Sequence, residues 1–330
     1  MPSTEASQAE IAVRSDTLHI AVAVIQSPDQ KILLSQRREG TDGAGLWEYP
    51  GGKCEPGEAV EQSLARELQE ELGITPRRAR PLIRIRHQYP DRHVLLDTWL
   101  VDDWSGVPKG LEGQALAWVD KGSLLQWDLL PANGPITEAI NLPDLYAFTP
   151  DVESSTDTFV AQLERTLQSG IKLIRLRAAN LDDSCYESLA IKCLTLCREY
   201  GASLLLDRGP EMVLELGANG LHLTGKALLS LGQRPAGLEW LVASCHSASE
   251  LDHAAFLGCD FVVLGSVKAT ASHPGGQVLG WETAQALLDQ INMPAYVIGG
   301  LGRVDLAQAY QAGAQGIAGI RALWNGGGVG

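Results

Sequence analysis

The chain has 330 residues, which is enough for two domains of ordinary size or one large barrel, and enough to bury a core without metal or disulfide staples. Apolar residues make up 45% and charged residues 20%, a mixture typical of a globular protein rather than a disordered or coiled-coil one. The 40 acidic and 26 basic residues give a formal net charge of −14, so stable binding to a nucleic-acid polymer is not expected, although a small nucleotide can still bind together with a divalent metal.

The termini and the cysteines indicate a cytoplasmic location. Residues 1–17 form a polar leader without the basic and apolar regions of a secretory signal. The sequence contains no apolar run of the roughly 18 residues that a membrane span needs. The six cysteines form neither a Cys-x-x-Cys pair nor a cluster with zinc spacing, which is typical of a reduced protein.

The first domain is predicted over residues 18–142. An apolar run at 20–25, a turn at 27–30 and a second run at 32–34 predict a β-hairpin. A glycine-rich stretch follows, and a helical pattern then begins at Glu58 and stops at Gly73. Further strands are predicted at 81–87, 93–102 and 115–119, and a short helix between the prolines of 130–144. We place the domain boundary near this last segment.

The second domain is predicted over residues 143–330 as an α/β unit. Eight short apolar runs recur at 145–148, 171–176, 203–206, 220–223, 240–243, 261–264, 295–298 and 316–320, with helical patterns between them. Strands that alternate with helices predict a parallel sheet, and eight such units predict a (β/α)8 TIM barrel. An open doubly wound sheet is the alternative.

Three carboxylates in the first domain point to a metal site. Glu67, Glu70 and Glu71 stand at helical spacing and share one face, where they repel one another unless cations lie among them. Oxygen ligands of this kind suit Mg²⁺ or Mn²⁺, which can hold a diphosphate and activate a water molecule. The alternative is a solvated acidic helix face. The glycines before the helix and Arg66 within the acidic run weigh against that alternative.

The segment from Gly52 to Ile74 resembles the Nudix hydrolase signature, G-x5-E-x7-R-E-U-x-E-E-x-G-U, at every defined position, where U is apolar. This resemblance implies a mixed sheet between helices (an α+β arrangement) and Mg²⁺-dependent hydrolysis of a nucleoside diphosphate linked to another group. It implies that Glu58 and Arg66 brace the loop and helix. The metal ligands that it implies are Gly51 (through its carbonyl), Glu67, Glu70 and Glu71, with Glu112 from a distant loop as a further candidate. Glu67 and Glu112 both remain candidates for the general base.

Residues 46–53, 89–93 and 131–133 look like the MutT branch of that family, the 8-oxo-dGTP diphosphatase type. This resemblance implies that a nucleoside triphosphate is cleaved to a monophosphate and pyrophosphate. Asn133 would recognise the oxidised purine, because an amide both donates and accepts hydrogen bonds. The other nucleotide-binding candidates are Arg37, Asp42, Glu48, Tyr49 (with its ring against the base), Pro50, Gly51 and Arg92. The alternatives are a helix N-cap for Asn133 and surface cations for the two arginines.

The barrel carries a second set of candidates where its strands end, since ligands of such barrels bind at the C-terminal ends of the strands. These candidates are Arg177, Asp207, His222, Gly299 and Gly300. Seven segments of this domain resemble thiamine-phosphate synthase and its TenI-like relatives. They are residues 173–177, 206–208, 220–223, 244–246, 265–267, 274–275 and 298–301. The chain departs from the synthase pattern at Ala178–Ala179, Leu206, Thr224–Ala227 and His273, and so lacks the second metal-binding carboxylate. We therefore expect this site to be a poor synthase.

The leading hypothesis is a Nudix enzyme that hydrolyses 8-oxo-dGTP for nucleotide-pool sanitation, followed by a synthase-like barrel that binds a phosphorylated, thiamine-related molecule. One alternative is a bifunctional thiamine-related enzyme whose Nudix domain hydrolyses a thiamine-pathway diphosphate. Another alternative, for the barrel alone, is a module that binds a ligand or a partner without catalysis.

Overall fold

The computed structural model describes residues 17–88, 92–270 and 278–324. Of the expected leader, only Thr17 lies within these ranges, and it begins the first strand. Residues 89–91 and 274–275, which carry parts of the two resemblances, lie outside the described residues, as does His273. Within the described ranges, no helix is both long enough and apolar enough to cross a bilayer.

The described residues of the N-terminal domain form two sheets and two α-helices, with two short 3-10 helices at Lys121–Gln126 and Pro131–Asn133. The elements are β1 (Thr17–Ile25), β2 (Lys31–Gln36), β3 (Trp47–Glu48), β4 (Gly51–Lys53), α1 (Val60–Leu72), β5 (Thr75–Gln88), β6 (His93–Ser105), β7 (Leu116–Asp120) and α2 (Gly134–Asn141). One sheet has the strand order β4-β1-β6-β5, and the other has the order β3-β2-β7. Strands β1 and β6 are parallel and the remaining pairs are antiparallel, so the larger sheet is mixed, as expected.

Alternate residues of β1 explain why this sheet lies between helices. Ala21 and Ala23 pack with the apolar face of α1, which includes Leu64 and Leu68. Val22 and Val24 lie on the opposite face, in the cluster that contains the apolar residues of α2. Successive side chains of a strand point to opposite faces, so one strand supports both layers.

The predicted β-hairpin is wrong. Strands β1 and β2 are joined by a tight turn, but they belong to different sheets. Their only described pairing is an isolated antiparallel bridge between Gln26 and Ile32. The turn does close on itself, since the backbone N–H of Ser27 donates to the carbonyl of Lys31. Beyond it, β1 pairs along its length with β6 instead. A distant strand therefore takes the place of the sequence neighbour.

The C-terminal domain is a closed parallel barrel, and the alternative of an open doubly wound sheet is wrong. Its strands are β8 (Leu145–Phe148), β9 (Leu173–Leu176), β10 (Ser203–Leu206), β11 (Gly220–Leu223), β12 (Trp240–Cys245), β13 (Phe261–Gly265), β14 (Ala295–Ile298) and β15 (Gly316–Gly319). The helices are α3 (Thr156–Gln168), α4 (Asp183–Glu199), α5 (Pro210–Leu216), α6 (Gly225–Ser230), α7 (Ala248–Phe256), α8 (Gly280–Leu288) and α9 (Leu306–Gln311). Closure comes from the pairing of β8 with both β9 and β15.

The two domains meet at the end of the barrel where its strands begin. The Arg86 backbone N–H donates to Asn292 Oδ1 at 2.8 Å, and Asn292 Nδ2 donates to the Arg86 carbonyl at 2.8 Å. Arg84 Nη1 lies 3.0 Å from Asp289 Oδ1. Because Asn292 and Asp289 precede β14, this contact lies at the end of the barrel opposite to the one where its strands end. The boundary near residue 142 stays a prediction, and it falls between α2 and β8.

Candidate functional site

Two glycines in β4 allow close approaches to the strand, by β1 at Gly51 and by a side chain of helix α1 at Gly52. Gly51 has φ +146°, and a Cβ there would lie 2.1 Å from the carbonyl oxygen of Ala21. A Cβ on Gly52 would lie 2.2 Å from Cδ of Glu67. Heavy atoms do not approach this closely, so a side chain at either position would displace its neighbour. Gly52 therefore creates the space that the Glu67 carboxylate occupies, and Gly51 permits the close approach of β1.

Arg66 holds the loop against the helix. Its Nε lies 3.0 Å from Glu58 Oε1 and its Nη2 lies 3.0 Å from Glu58 Oε2, a bidentate pair. Its Nη2 also donates to the Lys53 carbonyl at 2.9 Å. The hydrogen bond from Arg66, together with one from the Glu55 backbone N–H, lowers the pKa of Glu58 to about 2. These contacts correspond to the bracing role that the resemblance implies for Glu58 and Arg66.

Glu67 and Glu70 share the remaining donors of Arg66. The Nη1 atom lies 2.8 Å from Glu67 Oε1 and 3.3 Å from Glu70 Oε2. The Glu67 side chain is 15% exposed and points at Gly52, whereas the Glu70 side chain is 58% exposed. The structure therefore brings Glu67 to the strand and leaves Glu70 at the solvent edge.

Glu71 is the carboxylate whose charge is least compensated. Its Oε2 accepts a hydrogen bond from the Gly51 backbone N–H at 3.3 Å, and it forms none of the ion pairs described in the structure. Burial, followed by the charge of Glu67 and with smaller contributions from Glu48 and Glu112, raises the pKa of Glu71 to about 8 against the effect of the Gly51 hydrogen bond. The structure thus places several carboxylates around the half-buried Glu71 carboxylate, without a paired cation among the described residues.

This donor set fits a divalent metal ion. Carboxylate and carbonyl oxygens are the ligands that Mg²⁺ and Mn²⁺ prefer, and such an ion would relieve the repulsion at Glu71. Among residues 17–88, 92–270 and 278–324, no group of three acidic, histidine or cysteine side chains already converges on one point. Arg66 holds Glu67 and Glu70 instead, so metal binding would require these two side chains to turn toward Glu71.

The loop that carries Glu112 is fastened to the end of α1. The Leu111 backbone N–H donates to the Glu71 carbonyl at 2.9 Å, and Gln114 Nε2 donates to the same oxygen at 3.1 Å. The Glu112 carboxylate pairs with Arg38, whose Nη2 lies 2.8 Å from Oε2. Sequence reasoning missed Arg38. Its position directly after another arginine, in a loop that faces the acidic helix, was the available signal.

Four of the expected nucleotide-binding residues lie together beside this loop. Arg37 Nη1 lies 2.7 Å from Glu48 Oε2, and Arg37 Nε donates to the Asp42 carbonyl. Arg92 Nη2 lies 3.1 Å from Asp42 Oδ2. Burial raises the pKa of Glu48, although its hydrogen bond with Arg37 opposes this shift. Both arginines are therefore anchored by acidic partners rather than free at the surface.

Asn133 is buried and has a free donor. The residue is 5% exposed, and its Nδ2 has no hydrogen-bond partner among the described residues. It is the N-cap residue of α2, but its side chain makes no capping hydrogen bond, which disfavours the alternative of a simple cap. A buried, unpaired amide donor costs free energy unless a ligand satisfies it.

Tyr49 differs from its expected position. Its ring is 3% exposed in the core, and its hydroxyl lies 2.8 Å from Thr137 Oγ1, which in turn donates to the Asn133 carbonyl at 3.1 Å. The ring is therefore unavailable to a base, since β2, β5 and α2 pack around it. Tyr49 instead supports Asn133 through Thr137. Pro50 is also buried, and its carbonyl accepts from the Ala23 N–H at 2.7 Å.

The barrel holds a buried polar network. His222 is 1% exposed, with Nδ1 2.8 Å from the Tyr146 hydroxyl and Nε2 2.8 Å from Ser244 Oγ. Burial, with the charge of Arg175 as a second cause, lowers the pKa of His222 well below its usual value, so its ring is neutral. Arg175 Nη2 lies 3.3 Å from Asp207 Oδ2. The Asp207 Oδ1 and Arg175 Nε atoms lack partners among the described residues.

Arg175 is a second residue that sequence reasoning missed. Arg175 and Arg177 alternate along β9 and its end, so the period of the strand places both on the interior side, yet only Arg177 was selected. Arg175 neutralises Asp207, the residue that the resemblance assigns to metal binding. This ion pair and the missing second carboxylate both weaken a metal site in the barrel.

The remaining barrel candidates surround the same end of the barrel. Arg177 Nη1 lies 3.6 Å from Asp151 Oδ2 and is one-third exposed. Gly299 and Gly300 have φ +109° and +61°, and a Cβ on Gly300 would lie 2.6 Å from a backbone oxygen. The two glycines therefore form a turn that a residue with a side chain would strain.

Comparison with known proteins identifies relatives for each half. A family model described as "Thiamine monophosphate synthase" matches residues 145–323, and one described as "NUDIX domain" matches residues 21–139. An "8-oxo-dGTP diphosphatase" of Escherichia coli is 42% identical over 119 residues, 36% of this chain and 92% of the relative. A "CTP pyrophosphohydrolase" of the same organism is 43% identical over 118 residues, which are 36% of this chain and 87% of the relative. A "Putative thiamine-phosphate synthase 2" of Aquifex aeolicus is 31% identical over 182 residues, which are 55% of this chain and 97% of the relative.

Proposed function

Because the chain belongs to the thiamine monophosphate synthase family through its barrel and carries a NUDIX hydrolase domain before it, we propose that it hydrolyses a nucleoside triphosphate and binds a phosphorylated molecule in the barrel. The hydrolase acts on diphosphate bonds. We propose Mg²⁺ as its metal, with Mn²⁺ as a substitute, and 8-oxo-dGTP as its substrate, cleaved to 8-oxo-dGMP and pyrophosphate. This activity would keep an oxidised nucleotide out of DNA synthesis.

The observation that carries the proposal is the half-buried Glu71 carboxylate beside Gly51 and Glu67, which has no compensating cation among the described residues. Glu67, Glu70, Glu71 and the Gly51 carbonyl would hold the metal, with Glu112 as a further ligand or base. A bound divalent ion neutralises phosphate oxygens and lowers the pKa of a water molecule. Arg66 holds the Glu67 carboxylate beside Gly52, because their ion pair is short.

Asn133 supports a purine specificity. Its unpaired Nδ2 is fixed in a buried position by Thr137 and Tyr49, and can donate to an acceptor on a base edge. Arg37, Glu48, Asp42 and Arg92 form a connected cluster of charged side chains that would bind the rest of the nucleotide. The similarity to a CTP pyrophosphohydrolase favours CTP as the second candidate substrate, because its identity to this chain equals that of the 8-oxo-dGTP diphosphatase within one percentage point.

A substrate panel tests the proposal. The full chain would be incubated with Mg²⁺ and 8-oxo-dGTP, dGTP, CTP or thiamine diphosphate, with product formation followed by chromatography. We expect 8-oxo-dGTP to give the highest kcat/KM. A preference for CTP would transfer the assignment to the second candidate, and a preference for thiamine diphosphate would support the thiamine-related alternative. The variant Glu71→Gln is the matched control, and it should lose at least about 100-fold in kcat if Glu71 holds the metal.

For the barrel, we propose ligand binding without efficient thiamine-phosphate synthesis. Arg177, Gly299 and Gly300 would hold a phosphate, and the unpaired oxygen of Asp207 would orient the organic part. His222, whose two ring nitrogens already pair with Tyr146 and Ser244, would act only by positioning Ser244. The full chain would be tested for thiamine phosphate formation from its pyrimidine and thiazole precursors. Efficient synthesis would refute this proposal. Failure of all phosphorylated pyrimidines and thiazoles to bind would favour the partner-binding alternative.

A cytoplasmic location is part of the proposal. All six cysteines are free in the structure, and four of them are buried. Burial raises the pKa of Cys197 to about 12, so its thiol remains protonated and unreactive. Thiols in this form are typical of proteins that work in a reducing compartment.

A further inference from the structure

A cavity lies between the two domains, away from both sites proposed above. Its volume is about 380 Å³, and its lining includes Arg80 and Lys121 from the N-terminal domain and Asp144, Lys172 and Gln315 from the barrel side. Asp144, Lys172 and Gln315 directly precede the strands β8, β9 and β15, respectively. The cavity is therefore at the end of the barrel where strands begin, whereas the barrel site lies where they end.

Positive charge dominates this cavity. Arg80 Nη2 lies 2.8 Å from Asp144 Oδ1, so these two charges compensate each other. Lys121 is half-buried and has no ion pair or side-chain hydrogen bond with the described residues, and Lys172 donates to the carbonyl of Tyr200. Within the described part of the chain, Lys121 and Lys172 therefore form no ion pair, although the formal net charge of the chain is −14.

The surroundings of Lys121 penalise its charge. Burial lowers its pKa, the Asp144 carboxylate opposes this effect, and the neighbouring Arg80 adds to it. An anion bound between the cations would remove part of this penalty, since an opposite charge at close range favours the charged form.

Gln315 provides an unpaired acceptor beside these cations. The residue is 2% exposed, and its Nε2 donates to the carbonyls of Ala139 at 3.1 Å and Leu142 at 3.0 Å. These two bonds fix the orientation of the amide. Its Oε1 is left buried without a partner among the described residues. Such an atom needs a donor group from a ligand or water.

The rest of the wall is apolar and suits an organic group. Leu100, Ile140 and Pro143 contribute to the lining. A volume of about 380 Å³ lies within the range of about 300–1,000 Å³ that is usual for small-molecule sites. The cavity thus combines cations, one fixed acceptor and an apolar surface.

We propose that this interdomain cavity binds a phosphomonoester no larger than a mononucleotide. The phosphate lies between Arg80, Lys121 and Lys172, a donor of the organic part reaches Gln315 Oε1, and the remainder lies on the apolar wall. Because both domains supply ligand-binding residues, the bound molecule stabilises their contact. The same chemistry is shared by a nucleoside monophosphate and by a phosphorylated ligand of the thiamine type, so the site does not depend on the proposed substrate of either domain.

Titration calorimetry of the full chain in EDTA tests this site, with inorganic phosphate, dGMP and thiamine monophosphate as the probes. We expect at least one of the two organic probes to bind at one site per chain, with an affinity that depends on the lysines of the cavity. Lys121→Met and Lys172→Met should each weaken that binding by about tenfold, because each removes a charge-assisted contact. Lys192→Met is the matched control, since Lys192 is exposed on α4 and pairs with Asp157. It should leave the affinity unchanged.

Two further variants separate this site from the others. Asn133→Ala and Arg177→Ala alter the two sites proposed above, and cavity binding should persist in both. The tighter organic probe then shows which source of phosphomonoester the cavity accepts. The proposal is overturned if neither organic probe binds, if inorganic phosphate binds as tightly as they do, or if both lysine variants, shown to be folded by circular dichroism, bind like the parent. Loss of binding in Asn133→Ala or Arg177→Ala, with retention in the lysine variants, would also overturn it.

Discussion

Replacing Glu71 with glutamine should stabilise the metal-free protein at neutral and alkaline pH. The pKa of Glu71 is raised from 4.5 to about 8, mainly by burial and by the charge of Glu67. The folded state therefore binds this proton more tightly than the unfolded state. The free energy of unfolding should fall as pH rises from about 4.5 to about 8. The free-energy cost of ionising Glu71 in the folded state is absent below this pH window and fully present above it.

The size of the effect follows from the shift. Above pH 8 the whole shift of about 3.5 pKa units lowers the free energy of unfolding by roughly 5 kcal/mol. At pH 7 only the part of the shift between pH 4.5 and pH 7, about 2.5 units, contributes, and the loss is roughly 3 kcal/mol. Glutamine has nearly the shape of the protonated carboxyl group and does not titrate. The variant Glu71→Gln should therefore remove most of this pH dependence, and also the extra stability that Mg²⁺ gives the parent.

Urea unfolding in EDTA between pH 5.5 and 8.5 measures the effect. Tryptophan fluorescence reports mainly on the N-terminal domain, because residues 18–142 contain five of the eight tryptophans. Glu61→Gln is the control, since Glu61 is exposed on the same helix and its substitution should change the unfolding free energy by less than about 0.5 kcal/mol. If the parent and Glu71→Gln lose stability equally as pH rises, the reasoning about the buried carboxylate is refuted.

Three other substitutions test separate parts of the molecule. Gly52→Ala should reduce kcat/KM at least about tenfold, because its Cβ would lie 2.2 Å from Cδ of Glu67, and normal turnover by this variant would contradict the packing argument. Asn133→Ala should lower the preference for 8-oxo-dGTP over dGTP, measured as a ratio of kcat/KM values, by about tenfold. Arg175→Met should destabilise the barrel by about 3–5 kcal/mol in urea, because it leaves Asp207 charged and buried. The double variant Arg175→Met/Asp207→Leu should recover part of that loss, and strict additivity of the two substitutions would exclude the ion pair.

Local sequence patterns were sufficient for the main elements of the fold. The eight barrel strands were expected from short apolar runs, and the structure confirms all eight with small differences at their ends. Helix α4 forms where a helical pattern was expected between the second and third apolar runs, because a capping Asp182 and an apolar stripe define it within its own segment. The expectation of a mixed sheet between helices is likewise confirmed.

Partners that are distant in the chain had to be supplied by the tertiary structure. The turn residues after β1 favoured a hairpin, but β6 offers β1 a nine-residue parallel register that no local signal reveals. Tyr49 was expected at a base, yet it is buried because α2 brings Thr137 to its hydroxyl. Arg175 was not selected from the sequence, and only the fold places its charge opposite Asp207.

The sequence alone determined the spacing of the acidic helix and the alternation of strands and helices, because both depend on residues within a few turns of one another. Only the tertiary structure decided which carboxylate is buried without a cation, which amide is left without a partner, and where the two domains enclose a basic cavity. These properties arise from burial and from the charges of residues far apart in the chain, so they exist only after the chain has folded.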